Sequence, residues 1–220
     1  VKHSYLLKDA ESLPEIIAEA FHIARSGRPG PVLIDLPKDI MAGPAHGVAL
    51  EPLPLLAPKQ PESNELAVAR ELLTQAVRPL IYAGGGICMG GAEPEFHQFV
   101  EHCGLPVVTT LKGLGAVPGE HPLFLGMLGM HGLRAANLAV QSCDLLVCVG
   151  ARFDDRVTGK LEQFAPGAKV IHLDIDPAEV GKLRRPDAPV VGCLKASLSA
   201  LREELNIEPW RVHCVEMTKE

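Results

Sequence analysis

The chain has 220 residues, of which 47% are hydrophobic, with 21 Lys and Arg against 27 Asp and Glu for a net charge of −6. That much apolar sequence supplies a full core and excludes a disordered chain. The acidic balance argues against a general nucleic-acid binder, which presents a basic face, and no apolar run is long enough to cross a membrane. No signal or transit peptide is present, so a cytoplasmic location is expected.

At roughly 100–200 residues per domain, the length allows one domain with an extension or two small ones. The six cysteines, Cys88, Cys103, Cys143, Cys148, Cys193 and Cys214, form no C-x-x-C pair. Most lie in apolar runs, the pattern of buried reduced thiols in a cytosolic protein. The sequence opens at Val1 and runs straight into patterned sequence, which reads as a piece of a longer protein.

Glu11 to Ser26 has helical periodicity, with Leu13, Ile16, Ile17, Ala20 and Phe21 recurring at three and four. Ser12 and Glu15 have the spacing of a capping box, and Gly27 ends the pattern. Residues 31–36 form a short apolar β-type run. The order helix, turn, strand suits the end of an α/β domain. As an arm separated from that domain, residues 1–40 would leave the strand at 31–36 without its neighbours. Residues 41–63, rich in Pro, Ala and Gly, have the composition of a linker.

From Asn64 a regular alternation begins. Helices are expected at 64–76, 93–103, 133–142, 177–182 and 197–205, and strands at 79–83, 106–109, 144–149, 169–174 and 189–191. Strands alternating with helices imply parallel pairing through right-handed crossovers, and apolar strands such as LLVCV suit a sheet covered on both faces. Residues 64–205 therefore read as one Rossmann-like, three-layer α/β/α domain with a mainly parallel sheet, preceded by the helix–strand arm. Residues 206–220 read as a short helix or a frayed tail.

The expected strands end in small or polar turns: Gly84, Gly85 and Gly86; Thr110, Leu111 and Lys112; Gly150, Ala151 and Arg152; Asp174 and Ile175. These ends line one edge of the sheet, where open α/β folds bind nucleotides and where glycine allows a backbone to approach a ligand. The run Leu125–Lys160 carries a glycine-broken loop, a helix, a buried strand and two arginines. A helix N-terminus with Arg152 and Arg156 suits a diphosphate, although Arg152 can equally pair with Asp154 or Asp155. Asp174 is placed to accept from ribose hydroxyls or an adenine amine. Met127, Leu128 and Met130, around His131, offer adaptable apolar surface for a flat ring or for core packing. The G-x-G-x-x-G fingerprint is absent, as are G-x-S-x-G, the P-loop and H-E-x-x-H. His97 and His102 are five apart and share no helix face as metal ligands. The residues thus define a binding site with no catalytic set and no metal ligands.

Four segments, GRPGPVLIDLPKDI (27–40), TTLKGLGAVPGEHPLFLGMLGMHG (109–132), CDLLVCVGARFDDRVTGK (143–160) and VIHLDIDPAEVGK (170–182), resemble the catalytic large subunits of acetolactate synthase, also called acetohydroxyacid synthase. The resemblance covers nearly the whole chain in order and spacing. It implies three successive α/β domains, of which this chain resembles the end of the pyrimidine-binding domain (1–40), the linker (41–63) and the central domain (64–205).

The family's central domain binds an extended, largely structural FAD. The matching positions are Arg28, Gly84, Gly85, Gly86, Thr110, Leu111, Lys112, Leu128, Gly129, Met130, His131, Gly150, Ala151, Arg152, Asp154, Arg156, Val157, Asp174 and Ile175. Two positions depart from the family's pattern: Leu133 stands where threonine is common, and Cys193 where aspartate is usual. Each change removes a polar contact worth on the order of 0.5–3 kcal/mol.

The resemblance further implies condensation of two pyruvates, or of pyruvate and 2-oxobutyrate, on thiamine diphosphate with Mg2+ in the full-length enzyme. It also implies the remaining domains of the same large subunit, a homo-oligomer and a small regulatory subunit. The activating glutamate and the Gly-Asp-Gly motif of that family fall outside these 220 residues, so the chain by itself is expected to be inactive. Two other readings remain: the central domain of a related thiamine-diphosphate enzyme, such as glyoxylate carboligase or a pyruvate oxidase, and a non-catalytic subunit scaffold.

Overall fold

The computed structural model describes residues 1–44 and 50–219, which form two compact units, Val1–Pro58 and Lys59–Glu220. Residues 45–49, within the segment read as a linker, and Glu220 lie outside the described residues.

The first unit contains β1 (His3–Leu6), α1 (Leu13–Arg25), β2 (Val32–Asp35) and the single-turn α2 (Lys38–Met41). β1 and β2 pair in parallel, with His3 opposite Val32 and Leu6 opposite Asp35. The strand expected to lack neighbours therefore has one, supplied by a segment whose four residues were too few to show a period. The capping box at Ser12 does not form. A 3-10 turn at Ala10–Ser12 precedes α1 and leaves Ser12 in helical backbone (φ −81°, ψ −8°) with no side-chain cap bond, whereas an N-cap needs extended backbone. The Ser12 hydroxyl instead donates to the Asp9 carbonyl at 2.8 Å, and the Asp9 carboxylate accepts from the Glu11 N–H at 3.3 Å.

The second unit opens with α3 (Ser63–Gln75) and continues through β3 (Pro79–Ala83), α4 (Gly86–Met89), α5 (Glu93–Cys103), β4 (Val107–Thr109), β5 (Phe124–Met127) and α6 (Arg134–Ser142). It ends with β6 (Leu145–Val149), α7 (Asp155–Thr158), β7 (Lys169–Asp174), β8 (Ala188–Val191), α8 (Leu194–Ala200) and α9 (Glu208–Met217). The six strands are parallel, in the order β5-β4-β3-β6-β7-β8. Numbered within the sheet this is 3-2-1-4-5-6, the order of dinucleotide-binding Rossmann folds.

Every residue of β3 and β6 is buried, as a central strand covered on both faces requires. The crossover from β3 to β4 runs in the opposite direction from that joining β5 to β6. Right-handed connections therefore put α5 and α6 on opposite faces; α5 packs with α8, and α6 with α9.

Three elements differ from the sequence expectation. β5 was hidden inside a glycine-rich run and lies at the sheet edge, with only its two middle residues buried. Pro177–Lys182 forms turns rather than a helix: the Asp174 carboxylate accepts from the Asp176 N–H at 2.9 Å, and that of Asp176 from the Ala178 N–H at 3.0 Å. Such local side-chain bonds compete with helix formation. The last crossover helix, expected at 197–205, is α8 at Leu194–Ala200. Downstream of it, α9 buries Trp210 and Cys214, and the Trp210 indole donates to the Pro79 carbonyl at 2.9 Å, at the start of β3.

α6 begins on Leu133, an N-cap residue in extended backbone (φ −73°, ψ 148°) with no side-chain cap bond. Leu133 is 60% exposed, so little burial is lost on shortening it. Leu133→Ser is expected to stabilise the chain by about 1 kcal/mol, raising Tm by roughly 2–4 °C. A thermal melt showing an unchanged or lower Tm would mean that the Leu133 side chain, which lies over Gly126, contributes more than the cap.

Candidate functional site

The strand order reverses between β3 and β6, so the loops after these strands flank the switch point of the sheet. They meet backbone to backbone. The Gly84 N–H donates to the Val149 carbonyl and the Gly86 N–H to the Gly150 carbonyl, both at 2.9 Å. A Cβ on Gly84 would lie 2.3 Å from the Gly150 oxygen, and one on Gly86 would lie 2.7 Å from Gly150 Cα. These glycines, expected where a ligand approaches, also allow the two loops to approach each other. They close the crevice between β3 and β6 and form its floor.

Above the floor, two distant loops are joined. β5 carries a bulge, since two steps along β4 (Val107 to Thr109) oppose three along β5 (Phe124 to Met127), and Gly126 takes φ +97° there. Bulges re-aim a strand end, and this one sends the loop after β5 across the sheet toward β6, about 14 Å away at the usual strand spacing. Leu128 N–H donates to the Thr109 carbonyl at 3.1 Å, and Met130 N–H to the Arg156 carbonyl at 3.1 Å. Asn137, on α6, holds the loop from beneath. Its carboxamide oxygen accepts from the Gly129 N–H at 2.9 Å, and its NH2 donates to the Gly129 carbonyl at 3.1 Å.

The loop after β6 is held from the core. Tyr82, Cys148 and His172 share one register row across β3, β6 and β7 and are fully buried. The Tyr82 hydroxyl donates to the Arg152 carbonyl. The Ala151 carbonyl accepts from the Cys148 thiol at 3.2 Å and from His172 Nε2 at 2.9 Å. Phe153 packs edge-on against His172 at 5.5 Å and beside Tyr82 at 5.7 Å. Burial raises the Tyr82 phenol and the Cys148 thiol above their ordinary pKa values and lowers His172 below its own. All three therefore remain neutral, with the hydrogen-bonding proton in place.

Arg152 reaches Asp154 at 3.6 Å and Arg156 reaches Asp155 at 3.5 Å, with all four side chains substantially exposed. Such pairs contribute about 0–1 kcal/mol and yield readily to a better anion. The Asp154 carboxylate also accepts from the Arg156 N–H at 3.2 Å, the leading cause of its lowered pKa. The alternative raised for Arg152 is thus realised, in a form that leaves the guanidinium accessible.

Of the site residues expected from sequence, Gly84–Gly86, Thr110–Lys112, Leu128–His131, Gly150–Arg152, Asp154, Arg156, Val157, Asp174 and Ile175 all lie at the carboxyl edge of this sheet or in the loops that leave it. Thr110 caps its own turn, accepting from the Gly113 N–H at 3.0 Å. Arg28 belongs to the first unit, in the turn between α1 and β2. Sequence reasoning missed Tyr82, Cys148, His172 and Asn137. The first three had a signal: Tyr82 and Cys148 are each the one hydrogen-bonding side chain of their strand, and His172 is flanked by Ile171 and Leu173 within β7. Among the described residues, no group of three or more His, Cys, Asp or Glu is arranged to hold a metal, and no helix is long and apolar enough to cross a membrane.

This strand order, with helices on both faces, defines a Rossmann-like three-layer α/β/α domain. Residues 66–201 match the thiamine pyrophosphate enzyme central domain, and the chain belongs to that family. It is similar to the acetolactate synthase isozyme 2 large subunit of Escherichia coli (strain K12), at 51% identity over 100% of this chain and 40% of that protein. It is also similar to an acetolactate synthase of Mycobacterium bovis, at 49% identity over 91% of this chain and 33% of that protein. A third relative is a probable acetolactate synthase large subunit of Methanocaldococcus jannaschii, at 45% identity over 99% of this chain and 39% of that protein. The chain therefore spans two fifths or less of the length of these relatives.

The buried, neutral His172 has a consequence for stability. Its folded pKa lies below its ordinary value of about 6.5, so the unfolded chain takes up the proton first as pH falls. The stability it confers is complete above about pH 7 and is lost as pH drops from 6.5 toward the folded value, by up to ~1.4 kcal/mol per pH unit. Urea unfolding between pH 5 and 7.5 is expected to show this slope in the wild type and a shallower one in His172→Gln. Identical slopes would remove His172 as its source.

Proposed function

We propose that this chain is the central domain of an acetolactate synthase large subunit and that the carboxyl edge of its sheet binds FAD. The observation that carries the reading is how exposed groups are sorted along that edge. Leu111 (69% exposed) and Leu114 (47%) follow β4, and Met130 (68%) and Leu133 (60%) follow β5, so the β4–β5 side presents apolar side chains to solvent. The loop after β6 presents Arg152 and Arg156. An edge with exposed leucines and a methionine at one end, beside Lys112 and His131, and two arginines toward the other suits a flat ring joined to a diphosphate. Asp174, at the end of β7, suits the ribose or adenine that follows.

The residues present fit that group. The guanidiniums of Arg152 and Arg156 take the diphosphate by charge-assisted hydrogen bonds, Leu111 and Met130 cover the ring, and the glycine seam forms the floor. FAD bound there supplies structural support with no net redox change. Thiamine diphosphate and Mg2+ are assigned to segments other than these 220 residues. There the full enzyme decarboxylates pyruvate and joins the two-carbon unit to a second pyruvate or to 2-oxobutyrate. The remaining domains of the same subunit, further copies of it and a small regulatory subunit are the proposed partners.

Titrating FAD with the chain is expected to quench flavin fluorescence saturably. Arg152→Met is expected to weaken binding by about tenfold or more, the loss of one charge-assisted bond of about 1.5–3 kcal/mol. No saturable binding by a chain with a folded circular dichroism spectrum would favour the scaffold reading.

Supplied with thiamine diphosphate, Mg2+, FAD and pyruvate, the 220-residue chain is expected to form no acetolactate above background. Sustained turnover would place a catalytic set within these 220 residues.

A further inference from the structure

We propose that Tyr82, Cys148 and His172 are positioning residues that make the loop after β6 an anion receptor from its backbone as well as from Arg152. The inference deepens the flavin reading, since the anion it would receive there is the diphosphate. It starts from the direction of two consecutive peptide units. The Ala151 carbonyl is turned toward buried donors on Cys148 and His172, and the Arg152 carbonyl toward the buried Tyr82 hydroxyl.

Among the described residues there are no cis peptide bonds, and in a trans peptide the N–H points opposite to the C=O. The N–H groups of Arg152 and Phe153 are therefore directed away from those buried donors. Neither has an acceptor among the described residues, although Phe153 itself is 3% exposed. A native chain rarely leaves such an N–H unmet beside its core.

Successive N–H groups facing the same way form an anion-binding concavity. Here the Arg152 guanidinium is carried by the same segment. With two carbonyls withdrawn into the core, the edge presents positive dipole ends to a phosphate and no opposing oxygens from those two peptides. Three strands contribute one donor each, so the arrangement depends on the sheet register that aligns Tyr82, Cys148 and His172.

The test compares variants of the whole chain by amide hydrogen exchange and by binding of two probes, inorganic pyrophosphate and FAD. Tyr82→Phe removes one hydroxyl, and Cys148→Ala removes one thiol that Cys148→Ser replaces with another donor. Trp210→Phe is the control, because it removes a buried hydrogen bond to the Pro79 carbonyl at the opposite end of β3.

Tyr82→Phe and Cys148→Ala are expected to speed exchange across residues 151–156 and to weaken both probes about tenfold. Cys148→Ser and Trp210→Phe are expected to leave both readouts near wild type. Exchange across 151–156 no faster in Tyr82→Phe than in Trp210→Phe would overturn the proposal whatever the binding shows. So would faster exchange with unchanged pyrophosphate affinity. Wild-type chain that binds pyrophosphate and not FAD would uphold the receptor and defeat the flavin reading. Wild-type chain that binds neither would defeat both.

Discussion

The contact between Gly86 and Gly150 is the constraint on which the rest of the site depends. At the switch point of a 3-2-1-4-5-6 sheet the first and fourth loops diverge, and in the dinucleotide-binding pattern the ligand enters the crevice between them. Here the two loops touch, bonded from the Gly86 N–H to the Gly150 carbonyl, with no room for a Cβ on Gly86. The crevice is spent on contact within the chain. In the proposed reading the ligand lies across the loops, and recognition passes to the segments beside the seam, residues 110–113, 128–133 and 150–157.

That displacement explains why the edge is polarised along its length. The floor supplies shape and no charge. Charge comes from Lys112 after β4 and from Arg152 and Arg156 after β6, whose carboxylate partners stand at 3.6 and 3.5 Å in solvent and hold them weakly. Apolar surface comes from the far side, where Leu111 and Met130 stay exposed beside a fully buried core. An exposed ion pair costs little to exchange, whereas the backbone beneath it is fixed by buried donors. The loop after β6 is thus rigid in its main chain and free in its side chains, a division that preserves geometry while leaving charge available to a ligand.

Much of this was legible in the sequence. Strands 79–83, 144–149 and 169–174 coincide with or fall within one residue of β3, β6 and β7, because each is a short apolar run bounded by turn residues. Four strand ends were identified as one edge before any pairing was known, since alternating helices and strands force parallel order. β1 and β5 were not legible: each has four residues, β5 contains a glycine, and neither has the fully buried pattern that marks a central strand. The Pro177–Lys182 turns were mistaken for a helix because their apolar spacing was read without the competition from Asp174 and Asp176. Local pattern reports which face is apolar; it does not report which loop meets which. The junction of Met130 with Arg156 spans three strand positions and has no sequence signature.

The glycines of the LGMHG and GAR segments read in sequence as places where a ligand approaches the main chain. In the structure their space is taken by other parts of the chain: Gly129 lies against Arg156, where a Cβ would come within 2.8 Å of its carbonyl oxygen, and Gly150 against Gly86. The bulge at Gly126 then aims the first segment at the second. Glycine here brings loops together, and in the proposed reading Met130, Arg152 and Arg156 beside them also contact the ligand. A side chain added at Gly129 would act on the ligand only indirectly, by separating the apolar end of the edge from its cationic end.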